Sequence, residues 1–268
     1  MAEALLAFLV AIPIAVLGGL IGLGGAEFRL PVLVGLLRRS AHQAVPINLA
    51  ISLVTLLVSL GVRLRTLPGL PLEALGGILI SMIGGAMLTA FLGAGLTARL
   101  SPHALEGWMR LLLTAIGLLL ILEGFFPFSE AGVVGEAGWA QALTGFAAGC
   151  LIGVVSSTLG VAGGELIIPT LIFIFGVGVK TAGSASLIIS LPAVMVGLMR
   201  YARKGLLFSR AEGLSIVLPM GLGSLIGSIL GGVLAGIVPA DVLKVILGVV
   251  LIVSALRMFR RKNAGQGG

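Results

Sequence analysis

The sequence has very little charge for its length. Asp, Glu, Lys and Arg make up 10% of its 268 residues, whereas about 25% is usual in a soluble domain. Hydrophobic residues make up 58%, and the longest polar gap, around residues 126–137, is too short to fold as a soluble domain. Long apolar runs with charges confined to short gaps predict an all-α polytopic membrane protein.

Cysteine and histidine are nearly absent. The single cysteine, Cys150, cannot form a disulfide within the chain, and His42 and His103 fall in predicted loops. The sequence has no HExxH motif and no Cys/His cluster, so we predict no metal site. An intramembrane protease needs a histidine beside a serine at depth, and no histidine is predicted there. We therefore predict no catalytic residues, no cofactor and no enzymatic activity.

The net charge of +7 does not indicate a nucleic-acid partner. Lys and Arg cluster at the ends of the predicted helices, as the positive-inside rule expects. No basic segment precedes the first apolar run, so residues 4–23 are predicted to be a permanent helix rather than a cleaved signal peptide. The stretch GGLIGLGG, residues 18–25, lacks the preceding strand and the glycine order of a dinucleotide loop.

One short stretch occurs twice. GLGGAEFRLP, residues 22–31, aligns with GVAGGELIIP, residues 160–169, at an offset of 138 residues. In both copies, glycines are followed by a glutamate and then by a proline. The alignment continues without a gap into the next apolar segment. This match indicates an internal repeat.

Both repeats have the same predicted plan: an apolar helix, a glycine-rich break, a short apolar piece ending near Leu37 or Phe175, and three full-length helices. A piece of about ten residues rises only about 15 Å, half of the hydrocarbon core. Each break is therefore predicted to form a helical hairpin with a half-helix, which gives about 8–10 membrane segments in all. The predicted helices are about 4–23, 44–62, 72–97 and 103–122 in the first repeat, and about 138–158, 182–200, 211–235 and 240–257 in the second.

The basic residues predict how the two repeats are oriented. Most of them fall on one side of the membrane if the second repeat is inverted relative to the first, which leaves Arg63, Arg65 and Lys180 on the other side. We therefore predict inverted-topology repeats in a bacterial or archaeal inner membrane, with both termini cytoplasmic. The predicted domains are a first repeat (1–124), an acidic extracytoplasmic linker (125–137), a second repeat (138–258) and a basic cytoplasmic tail (259–268).

The two breaks predict where a ligand binds. Non-helical backbone inside a membrane must be buried in protein or line a wet cavity. A half-helix that begins after a break directs its N-terminal N–H groups and the positive end of its dipole toward that break. Inverted repeats bring two such ends together near the midplane, as in many secondary transporters. The predicted substrate-binding residues are Gly24, Gly25, Ala26, Arg29, Asn48, Ser52, Gly163, Gly164, Ser186 and Ser190.

The polar side chains of this set have alternative interpretations. Asn48, Ser52 and Thr55 share one helix face, and such residues often join helices rather than bind ligands. The counterpart of Arg29 in the second repeat is Ile167. Arg29 either holds an anion with its several donors, or snorkels, or pairs with a glutamate.

The paired glutamates Glu27 and Glu165 are predicted to bind a coupling ion. Each lies in the first turn of a half-helix, in corresponding positions of the two repeats. Ionisable groups inside membranes usually face a bundle interior or a water path, and burial favours the neutral, protonated carboxyl. H⁺ is therefore the preferred ion, with Na⁺ as the alternative. A purely structural role, with the carboxylate held by free backbone amides, is the other interpretation.

These motifs resemble the sulfite exporter TauE/SafE family, also called the 4-toluene sulfonate uptake permease family. The resemblance rests on GLGGAEFRLP and AVPINLAISL in the first half. In the second half it rests on LGVAGGELIIPTLIFIFGVGVKTAGSASLIISLPAVMVGLMRY. It implies a transporter of small sulfur-containing anions across the bacterial inner membrane.

The resulting expectation is a secondary transporter for sulfite or an organosulfonate that works by alternating access between the breaks. Its partners are the small anion, H⁺ or Na⁺, and membrane lipids, while homo-oligomer formation stays open. The alternatives are an anion channel or facilitator of the same fold, a cation or metal transporter that uses the two glutamates, and a non-transporting membrane scaffold or sensor.

Overall fold

The fold is helical throughout the part of the chain described by the computed structural model. That part comprises residues 2–96, 102–125, 132–134, 138–159 and 163–264, and it contains no strand. Four helices are long and apolar enough to span a membrane: Glu3–Ile21, Gln43–Thr66, Val179–Arg203 and Arg210–Ile237. Four shorter apolar helices accompany them. The prediction of an all-α polytopic membrane protein is confirmed.

The helix bounds follow the predicted plan closely. The helices are α1 (Ala2–Ile21), α2 (Ala26–Pro31), α3 (Ala41–Thr66), α4 (Gly76–Leu96), α5 (Pro102–Phe125), α6 (Gly138–Leu159), α7 (Gly164–Pro169), α8 (Val179–Arg203), α9 (Arg210–Glu212), α10 (Leu218–Ile237) and α11 (Ala240–Ala264). The segment predicted as one helix over 211–235 includes a π-helical turn, Gly213–Val217, between α9 and α10. Most of the predicted acidic linker, and residues 265–268 of the predicted tail, lie outside the described residues.

The glycine directly before each half-helix has the same conformation in both breaks. Gly25 precedes α2 with φ 72° and ψ 12°, and Gly163 precedes α7 with φ 75° and ψ 4°. These left-handed conformations are easily accessible only to glycine, which explains the glycines at these positions. In the first break, Gly22 and Gly24 also have positive φ.

Each half-helix changes from α to π geometry at a proline. Pro31 ends α2 and is followed by the π-helical turn Val32–Leu36, while Pro169 ends α7 and is followed by Thr170–Ile174. Because proline has no N–H, it cannot make the α-helical bond at its own position. Each proline is the sixth residue of its half-helix. The half-helical segments end one residue before the predicted limits.

The element order repeats along the chain. The helices α7, α8 and α11 begin 138 residues after α2, α3 and α5, respectively. The π-helical turn after α7 begins 138 residues after the turn that follows α2. The spacing found in the sequence is thus also the spacing of the helices.

The closest helix packing joins one repeat to the other. Helix α1 packs along α10, and α6 packs along α4. A Cβ on Gly223, Gly227 or Gly231 of α10 would collide with backbone carbonyls of α1, which shows how closely the two backbones approach. Such small-residue contacts are typical of membrane helices. We call α1, α3 and α10 the first bundle, and α6, α8 and α4 the second bundle, since α3 packs on α10 and α8 packs on α4.

Corresponding helices of the two repeats run in opposite directions where they meet. Near the end of α3, Arg63 contacts Ser184 near the start of α8, and near the start of α3, Leu49 contacts Gly197 toward the end of α8. The pair α5 and α11 is also antiparallel, because Gly117 lies beside Gly248 while the later Gly124 lies beside the earlier Asp241. In contrast, α1 and α10 run parallel.

Candidate functional site

The two breaks contact each other at the centre of the molecule. A Cβ on Gly164, the first residue of α7, would lie 3.2 Å from the Cα of Leu23 in the first break. A Cβ on Gly22 would collide with the backbone of Gly183 in α8. This contact requires residues without a side chain, so the glycines of the first break and of α8 set how closely the halves approach.

Arg29 is completely buried beside the first break and donates to four oxygens. One terminal nitrogen, Nη1, donates to Ser52 Oγ at 3.0 Å and to Asn48 Oδ1 at 3.3 Å. The other, Nη2, donates to Thr55 Oγ1 at 3.1 Å and to the carbonyl of Gly24 at 3.5 Å. The face of α3 that carries Asn48, Ser52 and Thr55 is therefore directed at the guanidinium.

The positive charge of Arg29 has no ion-pair partner among the described residues. All four acceptors are uncharged, and the negative charge of Glu27 acts on the guanidinium only from beyond ion-pair distance. Its Nε is also buried without a hydrogen-bond partner in the described part of the chain. Arg29 therefore neither snorkels to the surface nor pairs with a glutamate, and its buried charge can attract an anion.

Asn48 connects the long helix α3 to the half-helix. While its Oδ1 accepts from Arg29, its Nδ2 donates to the carbonyl of Ala26 at 3.1 Å. Asn48 and Ala26 are both buried. This pair of bonds fixes the start of α2 against α3 and orients the residues that follow it.

The two predicted coupling residues lie near each other. The charges of Glu27 and Glu165 act on one another across the junction of the two half-helices. Both carboxylate oxygens of Glu27 are buried and accept no hydrogen bond from another described residue. The backbone amide of Glu27 itself interacts with this carboxylate, so the structural role and the coupling-ion role of Glu27 both stay predictions.

From Gly163 onward, the second break has the same backbone as the first but a different set of side chains. Ile167, which is buried, stands where the first repeat has Arg29. Ser186 and Ser190 of α8 correspond to Asn48 and Ser52 and are also buried. The Oγ of Ser186 has no hydrogen-bond partner among the described residues. The structure thus places a buried cation beside the first break, whereas the corresponding helix of the second repeat carries the buried hydroxyl of Ser186.

The sequence prediction missed the role of Arg63. It treated Arg63 as one of the basic residues outside the membrane core, but the side chain is completely buried near the end of α3. Ser59, one turn earlier, is buried as well. The spacing of Asn48, Ser52 and Thr55 continues through Ser59 to Arg63 at helical intervals, and this periodicity was the signal that could have identified both residues.

The match to known proteins is confined to the second half. The model of the sulfite exporter TauE/SafE family matches residues 145–268, a range that includes the second break and α7 to α11. The resemblance predicted from the sequence is confirmed by this match. The family consists of membrane transporters of sulfite or similar anions rather than enzymes. No curated protein and no solved structure matches the chain.

Proposed function

We propose that the chain is a secondary transporter that moves sulfite or an organosulfonate across the membrane, coupled to protons. The observation that carries the proposal is Arg29, a buried guanidinium without an ion-pair partner among the described residues, located where the two breaks meet. A buried charge is costly unless it is compensated. A small anion bound at the breaks compensates it.

The substrate site comprises groups from both repeats. Backbone amides near Gly25 and Gly164 and the charge of Arg29 attract the anion. Polar side chains of α3 and α8 complete the shell: Asn48, Ser52, Ser186 and Ser190. A sulfonate group has three oxygens, which suits a shell of several hydrogen-bond donors around one cation.

The packing of the helices supports an inverted arrangement of the repeats. Helices α3 and α8 correspond to each other and run antiparallel, as do α5 and α11. Two repeats related by an axis along the membrane normal would instead have corresponding helices parallel. Inversion about an axis in the membrane plane places the two breaks at one depth and favours alternating access there.

Glu27 and Glu165 are the proposed proton sites. Two buried carboxylates close to each other repel when both are charged, so the state with one of them protonated is favoured. Binding of the anion beside Arg29 adds a further negative charge. A proton taken up by one of the glutamates compensates this charge, so anion and proton move together.

The test is anion uptake into proteoliposomes with and without an imposed pH gradient. Radiolabelled sulfite and methanesulfonate serve as substrates, and protein-free liposomes serve as the blank. The sulfonate is essential because sulfite in acid forms neutral sulfur dioxide, which crosses lipid unaided, whereas a sulfonate stays charged. We expect gradient-driven accumulation above electrochemical equilibrium of at least one of the two anions.

The coupling role is tested with Glu165→Gln. We expect this variant to lose accumulation, and Glu73→Gln, at an exposed position between α3 and α4, to behave as the wild type. Flux that never exceeds equilibrium in the wild type points to a channel or facilitator. Absence of flux for both anions, in protein shown to be folded and inserted, contradicts the proposed substrate class.

The proximity of the two glutamates also favours a second candidate, a cation transporter. No group of three or more His, Cys, Asp or Glu side chains suited to a metal ion occurs in the described residues. A monovalent cation held by Glu27 and Glu165 is the remaining form of this candidate. Transport of Na⁺ that survives Arg29→Glu favours it over the anion transporter.

A further inference from the structure

We propose that Arg63 is a positioning residue that closes the path between the two bundles at the C-terminal end of α3. Its hydrogen bonds to the second bundle must break whenever the binding site opens toward that end. The proposal rests on the proposed function, because it assigns one of the two closures that alternating access requires.

Arg63 links its own helix, α3, to two others, α1 and α8. Its Nη1 donates to the carbonyls of Gly19 and Leu20 at 3.0 Å each, at the end of α1. Its Nε donates to Ser184 Oγ at 2.9 Å, and its Nη2 donates to the carbonyl of Lys180 at 2.8 Å, both in the second bundle. Arg63 therefore links the end of α1, just before the first break, to the first turns of α8.

A second connection lies at the same end of the bundles. The ammonium of Lys180 donates to the carbonyl of Gly236 at 3.2 Å, near the end of α10 in the first bundle. A Cβ on Gly183 would lie 2.8 Å from Nη2 of Arg63 and would collide with the carbonyl of Ile21. The bundles are in backbone contact here, which leaves no passage for an anion between these segments.

The opposite end of the α3–α8 contact has a different character. The counterpart of Arg63 in the second repeat is Tyr201, which packs with an apolar cluster that includes Val45 and Leu49 at the start of α3. The polar connection through an arginine is thus specific to one end. The two ends of the path close by different chemistry.

The chemistry of the connection suits a contact that opens and closes. The guanidinium of Arg63 is bound by backbone carbonyls and one hydroxyl, and no carboxylate lies within ion-pair distance among the described residues. Water replaces neutral oxygen acceptors at low net cost, because each lost hydrogen bond is remade with solvent. A buried ion pair at this place would cost more to separate.

The solvent accessibility of position 59 reports whether this contact is closed. Ser59 lies on α3 one turn from Arg63, on the side of Arg29, and its buried Oγ has no partner in the described part of the chain. A cysteine there is nearly isosteric. In the Cys150→Ala background, which removes the only native cysteine, a membrane-impermeant maleimide then reports access from the α3 C-terminal side.

The experiment compares maleimide labelling rates of Ser59→Cys with and without Arg63→Gln, in cells and in inverted vesicles. We expect Arg63→Gln to raise the labelling rate of Ser59→Cys at least about tenfold, and only for maleimide added from one side of the membrane. The substitution removes charged hydrogen bonds that favour the closed state. The matched control is Arg65→Gln, which removes an exposed charge on the same helix. We expect no change for this control.

A second reporter separates gate opening from general loosening. Ser224→Cys lies buried in α10, away from the Arg63 contact. An unchanged rate at Ser59→Cys, or an equal rise at Ser224→Cys, overturns the proposal. If Arg63→Gln does not fold, Ser184→Ala, which removes a single bond, replaces it and is expected to give a smaller rise. Labelling needs no substrate, so its result stands apart from the flux assays.

Discussion

Where the structure describes both breaks, they have the same backbone conformation and different side chains. Gly25 and Gly163 differ by only a few degrees in φ and ψ, and a π-helical turn follows a proline in both half-helices. Yet Arg29 stands at the first break where the second has Ile167. The difference teaches that the repeated residues shape the backbone, whereas the unrepeated Arg29 gives the first break its affinity for anions under the proposed function.

The helices that pack against the two breaks also differ in their side chains. On α3, Asn48 both accepts from Arg29 and donates to the half-helix, whereas its counterpart on α8 is the short Ser186. Near the ends of these helices, Arg63 corresponds to Tyr201. The two completely buried arginines among the described residues, Arg29 and Arg63, both lie in the first repeat, so the two repeats would contribute unequally to the proposed site.

The largest expected effect comes from removing the chemical difference between the breaks. Arg29→Ile gives the first break the side chain of the second, and an apolar residue is tolerated at the corresponding position. We expect anion flux in proteoliposomes to fall at least about 100-fold, because the guanidinium that is directed at the first break is lost. Ile167→Leu, the control at the second break, is expected to retain flux. Full flux in Arg29→Ile contradicts the anion site.

A second prediction concerns the backbone contact between the halves. Gly183 touches the first break, whereas its counterpart in α3 is Val45. We expect Gly183→Ala to destabilise the protein by about 1–3 kcal/mol, because the new methyl group meets backbone. Gly221→Ala, where a Cβ meets open space, is the control. Thermal unfolding in detergent measures the stability of both variants. Equal unfolding temperatures for Gly183→Ala and Gly221→Ala contradict the described contact.

The smallest expected effects are on stability, at corresponding positions of α3 and α8. Asn48→Ala leaves both Arg29 and the carbonyl of Ala26 short of a partner, which costs about 1–3 kcal/mol. Ser186→Ala removes a hydroxyl that has no partner among the described residues, so we expect a change within about 0.5 kcal/mol. Unfolding measurements without substrate compare the two. If Ser186→Ala loses more stability than Asn48→Ala, the structural role assigned to Asn48 is wrong.

Much of the fold follows from local signals in the sequence. Glycines with a following proline marked both breaks, because these residue types act on the backbone directly, and helical spacing brought Asn48 and Ser52 to one face. Arg63 was misjudged because charge near a helix end counts as surface under the positive-inside rule. Its burial depends on carbonyls of α1 and α8, far away in the sequence, and no local pattern contains that information. The pairing of α1 with α10 is equally non-local.

That pairing has a consequence for biosynthesis. Membrane proteins are made from the amino terminus onward, and the helix with the closest glycine-lined fit to α1 is α10, the second-last helix in the chain. Glycines spaced four residues apart, such as Gly223 and Gly227, fit only against a partner at backbone distance. Helix α1 is therefore synthesised long before its partner and waits in lipid until α10 has been inserted, and a ribosome that stalls between them leaves α1 without its partner.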